Sequence, residues 1–163
     1  MYDKLACPPE ARRCKNIVAR RLDNSEKDIA MKIFKDGFPH VYDREEDFWR
    51  EILDTNPTLA LVVDGEIACV SSVRKPQLIK NRNTSWIDLI ACDPAHRRQG
   101  LGGVLLDQSE NLMKRMGAKK SKLFTEVKNT EAVSFYSKHD WQVTEHTPWG
   151  YQHAHRLTME KLL

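Results

Sequence analysis

The spacing of apolar and polar positions along this chain changes several times, and each change marks an element. Asn16 to Leu22 reads as a strand with β-branched residues near its start. Asp23, Asn24 and Ser25 then supply capping groups for a helix to about Asp36, with Ile29, Ile33 and Phe34 on one face. Gly37-Phe38-Pro39 breaks it, and Phe48, Ile52 and Leu53 recur at helical spacing within Asp43 to Asp54. The runs Leu59 to Val63 and Ile67 to Val70 flank Asp64-Gly65, a strong hairpin signal, and the hairpin extends to Arg74. Ser85 to Cys92 is a further strand, ending at Asp93-Pro94. Leu101, Val104, Leu105, Leu112 and Met116 predict a long amphipathic helix over Gln99 to Met116, stopped by Gly117. Ser121 to Val127 reads as a strand and Thr130 to Lys138 as a short helix carrying Val133, Phe135 and Tyr136. Trp141 to Thr144 and His153 to Leu162 complete the set, while residues 1–15, with Pro8-Pro9, form an irregular arm.

The resulting order, β-α-α-β-β-β-α-β-α-β-β, predicts an α+β fold with a mixed sheet. Only Trp86 to Val143 alternates strand and helix, so the parallel pairing belongs there. No repeat divides the chain, and 163 residues with 40% hydrophobic and 30% charged composition describe a single globular domain over 1–163. No run reaches the roughly 18 to 20 apolar residues of a membrane span, so no membrane partner is expected. Residues 1–16 lack an apolar signal core, which points to the cytoplasm. The formal charge of +3 is modest, and nucleic acid is not the expected partner. Cys7, Cys14, Cys69 and Cys92 form no C-x-x-C pair. Two of them lie in apolar runs, where a free thiol behaves as a small buried hydrophobe, in keeping with a reducing context. Asn83-Thr84-Ser85 fits a glycosylation sequon, which without a signal sequence is read as chance.

The chemistry concentrates between Cys92 and Gly103. Glycines at 100, 102 and 103 remove Cβ atoms where a backbone approaches a ligand. Successive amides and a helix N-terminus make an anion site there, with Arg97 and Arg98 adding positive charge. The combination suits a pyrophosphate. Neither the Walker A pattern nor the dinucleotide fingerprint fits, since Leu105 stands at the third glycine position of the latter.

These residues resemble the signature of the GNAT superfamily of acyl-CoA-dependent N-acyltransferases. Arg97-Arg-Gln-Gly100-Leu-Gly102 matches its Arg/Gln-x-x-Gly-x-Gly/Ala motif after an apolar strand and Pro94. Asn129-x-x-Ala132-x-x-Phe135-Tyr136 looks like its second signature. The two cover residues 86–143, and the element order extends the likeness over nearly the whole chain. The resemblance implies a mostly antiparallel sheet of six to seven strands, flanked by about four helices and splayed around the CoA site.

It also implies roles. Backbone amides of Gln99, Gly100, Leu101, Gly102 and Gly103 would hold the CoA pyrophosphate, assisted by Arg97 and Arg98. Backbone groups of Ile90, Ala91 and Cys92 would pair with the pantetheine arm like an added strand. Asn129 would meet the pantetheine or CoA, and Tyr136 would lie near the thioester sulfur. The family usually places Gly after this helix, where this chain has Asp140, a residue that tolerates the left-handed turn.

The implied reaction transfers acetyl from acetyl-CoA directly to a primary amine, on a small molecule or a peptide. The amine, with a pKa of about 10, must first lose a proton. Amides at the end of the Trp86 to Cys92 strand would stabilise the oxyanion. Tyr136 suits the general acid that protonates the leaving thiolate. For the general base, Asp88, where burial favours the protonated carboxyl, and Glu126 stand equal beside a water chain. No metal is expected: His153-Ala-His155 and His146 lack a third ligand. Lys114, Arg115, Lys119, Lys120 and Lys122 read as a solvated face or as contacts to the CoA 3′-phosphate. Trp149 and Tyr151 border the acceptor pocket or pack a hairpin tip. Asp36, Asp43, Glu45, Glu46 and Asp47 lean toward a cationic amine. The chain is expected to be a monomer or homodimer, and a non-catalytic CoA-binding module is the alternative.

Overall fold

Asp64 and Gly65 take φ of +49° and +92°, the paired left-handed geometry of a tight hairpin turn, so β3 (Thr58–Val63) returns as β4 (Glu66–Gln77). This hairpin lies at the centre of a computed structural model that describes residues 3–4, 16–38, 46–77, 83–148 and 155–163. On one side β2 (Ile17–Arg21) pairs antiparallel with β3, Ile17 opposite Val63. Beyond it β1 (Asp3–Lys4) pairs with Val18 and Ala19 of β2. The arm expected to be irregular therefore contributes a two-residue edge strand, because the outer edge of β2 offers backbone groups that need partners.

On the other side β5 (Thr84–Cys92) runs antiparallel to β4. The helix α3 (Leu101–Arg115) carries the chain back, so β6 (Lys120–Glu126) lies parallel to β5. The helix α4 (Thr130–Lys138) leads to β7 (Gln142–Pro148), and β8 (His155–Leu162) inserts between β6 and β7. The strand order is β1-β2-β3-β4-β5-β6-β8-β7, with β5–β6 its one parallel pair among the described residues. The fold is the expected mixed, mostly antiparallel α+β sheet, with four α-helices among the described residues; the short β1 brings the sheet to eight strands, against the six to seven expected.

Alternation along β3 sets the two cores. Ala60 packs with α1 (Lys27–Gly37) and α2 (Glu46–Thr55), whereas Leu59, Leu61 and Val63 pack on the α3 face. The buried stripes of α1 and α2 differ by one residue from expectation. Ala30, Met31, Ile33 and Phe34 are buried while Ile29 is 48% exposed; Trp49, Ile52 and Leu53 are buried while Phe48 is 51% exposed. One residue is about 100° of helix rotation, enough to turn a side chain from core to solvent.

A second correction concerns the cysteines. Cys69 and Cys92 face each other across β4 and β5 and form a disulfide, rather than two separate buried thiols. Strand register, not sequence spacing, brings them together. Cys7 and Cys14 lie outside the described residues.

Asp140 ends α4 with φ of +66°, the left-handed turn expected of it. Asp140→Gly is expected to raise stability by about 0.5–1 kcal/mol by relieving the Cβ clash, measured by reversible denaturant unfolding. Asp140→Val should lose stability by the same measurement.

Candidate active site

The register of β4 and β5 shifts between Ser72 and Val73, which stand opposite Leu89 and Ile87, so Asp88 is an extra residue in β5. A bulge bends and twists the strand that carries it. Pairing of β5 with β6 stops at Ile87–Leu123, one residue before that bulge. From there β6 continues beside β8 to Glu126, while β5 continues beside β4 to Cys92. Asp88 to Cys92 therefore present a backbone edge that no strand among the described residues covers on the β6 side. Such an edge accepts an extended ligand carrying amides.

The loop that follows is built to expose amides. Asp93 caps a 3-10 turn at Pro94–His96 by accepting from the Ala95 amide at 2.8 Å. Arg98 and Gly100 then take φ of +61° and +75°, and Gly100 starts α3. Among the described residues, the amides of Gly100, Leu101, Gly102 and Gly103 find no acceptor within the chain; Val104 is the first to reach back, to the Gly100 carbonyl at 3.4 Å. Together with the helix dipole, those donors favour an anion. Ideal Cβ atoms would lie 3.5 Å from Phe135 at Gly102 and 2.9 Å from His139 at Gly103. Close packing against His139 at the end of α4 thus accounts for Gly103 without a ligand, whereas the 3.5 Å at Gly102 is an ordinary contact that a side chain could make.

The two arginines separate. Arg97 Nε donates to the Cys92 carbonyl at 3.1 Å and Nη2 to the Asp36 carbonyl at 3.3 Å, which ties the end of α1 to the end of β5. Arg98 extends outward with its side chain 87% exposed, 3.9 Å from Glu131. Gly37 reinforces the same junction, since a Cβ there would come 3.1 Å from Ala91. Asn129 caps α4 by accepting from the Ala132 amide at 3.1 Å, a structural use of a residue expected at the ligand. Ile90 and Cys92 pack toward the α3 side of β5, and Ala91 toward α1.

Tyr136 is buried on α4, edge-on to Phe135 and 6.0 Å from the Trp141 ring. Burial pushes its phenol well above the usual range, so it stays protonated. Glu126 is exposed at the end of β6, opposite Arg156 in register. Asp88 is engaged: its Oδ1 accepts from Arg74 Nη2 at 2.6 Å, and its Oδ2 from Arg74 Nε at 3.1 Å and Asn56 Nδ2 at 2.8 Å.

Neither Arg74 nor Asn56 is a site residue in the sequence reading, where Arg74 enters only as the end of the hairpin. Trp86 and Phe124 were missed too. Their rings lie 4.6 Å apart across the mouth of the splay, with Arg74 and Lys122 over Trp86 and Arg156 at 4.0 Å over Phe124. Lys120 and Lys122, read as solvated or phosphate-facing, both bond Glu160. Burial pushes the Glu160 carboxyl up, but the hydrogen bonds from Lys122 and Lys120 outweigh it and hold the group below the usual range.

The His146 and His155 rings are 5.1 Å apart; His153, Trp149, Tyr151, Asp43 and Glu45 lie outside the described residues. Glu46 pairs with Arg50. No group of three metal-ligating side chains occurs among the described residues, and no helix there is long and apolar enough to cross a membrane.

A search of curated proteins finds no match. Among solved structures, Ard1 from Thermoplasma volcanium is similar at 21% identity and a TM-score of 0.74, covering 90% of this chain and 97% of that one. An NatC complex bound to Gag peptide and CoA is similar at 18% identity and a TM-score of 0.78, covering 90% and 98%. yncA, a putative acetyltransferase from Salmonella typhimurium with its cofactor acetyl-CoA, is similar at 17% identity and a TM-score of 0.74, covering 90% and 94%. These likenesses concern the fold. A family model described as acetyltransferase (GNAT) family matches residues 24–141, most of the sequence, and the chain belongs to that family.

Proposed function

We propose that the protein transfers an acetyl group from acetyl-CoA directly to a primary amine. The observation that carries this reading is the adjacency of two donor-rich surfaces. The unpaired β5 edge at Asp88 to Cys92 leads through one short loop into the open amides of Gly100 to Gly103. An extended amide-bearing arm that ends in a pyrophosphate matches both in sequence. The solved structures of similar fold include one with acetyl-CoA and one with CoA and a peptide.

CoA supplies an activated thioester and a thiolate leaving group. The chain supplies the rest. Backbone amides near the end of β5 offer hydrogen bonds to developing negative charge. The Tyr136 phenol, held protonated by burial, donates its proton to the departing sulfur. Glu126 is the base we assign, acting through water on the ammonium of the acceptor. Asp88 would have to release Arg74 and Asn56 before taking a proton, so it shapes the bulge instead.

The test is thiol release from acetyl-CoA across a panel of diamines, amino acids and short peptides. At least one amine should give saturable release above hydrolysis. Saturable CoA binding with no release for any amine would favour the non-catalytic module.

A further inference from the structure

The Cys69–Cys92 bridge is the one covalent link in the described structure that the proposed reaction does not use, and it sits at the donor site. Cys92 is the last residue of β5 and the start of the turn into the amide loop. Beyond Ile87, β5 has β4 on one side and, among the described residues, no strand on the other, so its terminal residues are held from the β4 side. That hold consists of the β4 ladder, the Asp93 amide on the Ala68 carbonyl at 2.8 Å, and the disulfide. The Cys92 carbonyl in turn positions Arg97, which reaches the end of α1. One bond therefore bears on the proposed pantetheine edge, the proposed pyrophosphate loop and the end of α1.

We propose that Cys69 and Cys92 are a reversible dithiol–disulfide pair whose oxidation state sets the order of the donor loop. This inference rests on the donor reading given above. Cys69 is fully buried and Cys92 only half-buried, so an incoming thiolate reaches the Cys92 sulfur first. A dithiol reductant attacks there, the S–S bond breaks, and Cys69 leaves as a thiolate that takes a proton. The second thiol of the reductant then displaces Cys92 from the mixed disulfide. The reductant ends as a disulfide, and the protein gains two electrons and two protons. With the tether gone, Cys92 to Gly103 sample more conformations, and a ligand must order them on binding.

The measurements use the full chain prepared without reductant. Alkylation followed by mass analysis should leave Cys69 and Cys92 unmodified until a dithiol is added; alkylation of both in the untreated protein overturns the proposal. Hydrogen exchange should then quicken at the amides of residues 92–103 on reduction, with the interior of α3 unchanged. Equal exchange in the two states also overturns it. Desulfo-CoA, which has no thiol to exchange, should bind the reduced protein about three- to ten-fold more weakly. Cys69→Ala should match the reduced protein in either buffer. Equal affinity in both states sinks the switch alone. Absence of desulfo-CoA binding in both states sinks the donor reading, while the exchange result still decides the tether.

Discussion

Tyr136→Phe is expected to lower the turnover of acetyl transfer by about 10²-fold or more, the range for loss of a positioned proton donor. Three features of the site make this a loss of chemistry rather than of structure. The phenol is buried among Phe135 and Trp141, so the ring that Phe keeps supplies the packing. Among the described residues the hydroxyl has no hydrogen-bond partner, so its removal leaves no group stranded. In the proposed reaction the donor is held by backbone amides at the start of α3, which the substitution does not touch. The dissociation constant for acetyl-CoA and the unfolding midpoint should therefore stay close to wild type. The sign of the pH dependence follows from burial. A phenol normally ionises near 10, and this one is raised, so it remains a donor across the neutral and alkaline range. Wild-type rate should rise with pH as the acceptor amine deprotonates, with no fall from Tyr136 below about pH 10. An unchanged turnover in Tyr136→Phe would remove the residue from the mechanism.

The parts that were legible in the sequence are those that local rules decide. Asp64-Gly65 forces a hairpin whatever surrounds it, and the helical spacing of Leu101, Leu105 and Leu112 survives packing. The alternation between Trp86 and Val143 located the one parallel pairing. The glycine loop was readable because a helix start with small residues advertises open amides. What escaped depends on register. Nothing near Cys69 in sequence announces Cys92, and nothing near Asp88 announces Arg74 or Asn56; the pairing of β4 with β5 brings Cys69 to Cys92 and Arg74 to Asp88, and the turn before β3 adds Asn56. The same limit applies to Arg97 and Asn129. Their residue types suggested a ligand, yet neighbouring backbone groups engage both side chains, the Cys92 and Asp36 carbonyls and the Ala132 amide. A polar side chain near a site is satisfied by whichever partner is closest, and sequence does not contain that distance.

Glu110→Ala is expected to cost about 2–4 kcal/mol of stability, and the reason lies where α3 meets the residues after α4. Glu110 is buried on α3, where its Oε1 accepts from the Trp141 indole at 3.0 Å and its carboxylate meets Lys161 Nζ at 2.8 Å. Truncation leaves an indole N–H and an ammonium without their acceptor. Lys161 keeps 19% of its side chain exposed and can turn toward water, which holds the cost below that of a fully enclosed charge. Glu110→Gln retains an acceptor for Trp141 and should lose about half as much. Lys161→Met removes the charge instead and should cost less than Glu110→Ala, because the carboxylate still has the indole. In the double variant Glu110→Ala/Lys161→Met the losses should be less than additive by about 1 kcal/mol or more, the coupling of two groups in contact. Trp141 packs on Tyr136, so Glu110→Ala should also reduce turnover beyond the loss of folded protein, whereas Lys161→Met should not. Denaturant unfolding of the four proteins together with their specific activities decides it, and strictly additive stabilities would show that Glu110 and Lys161 act independently.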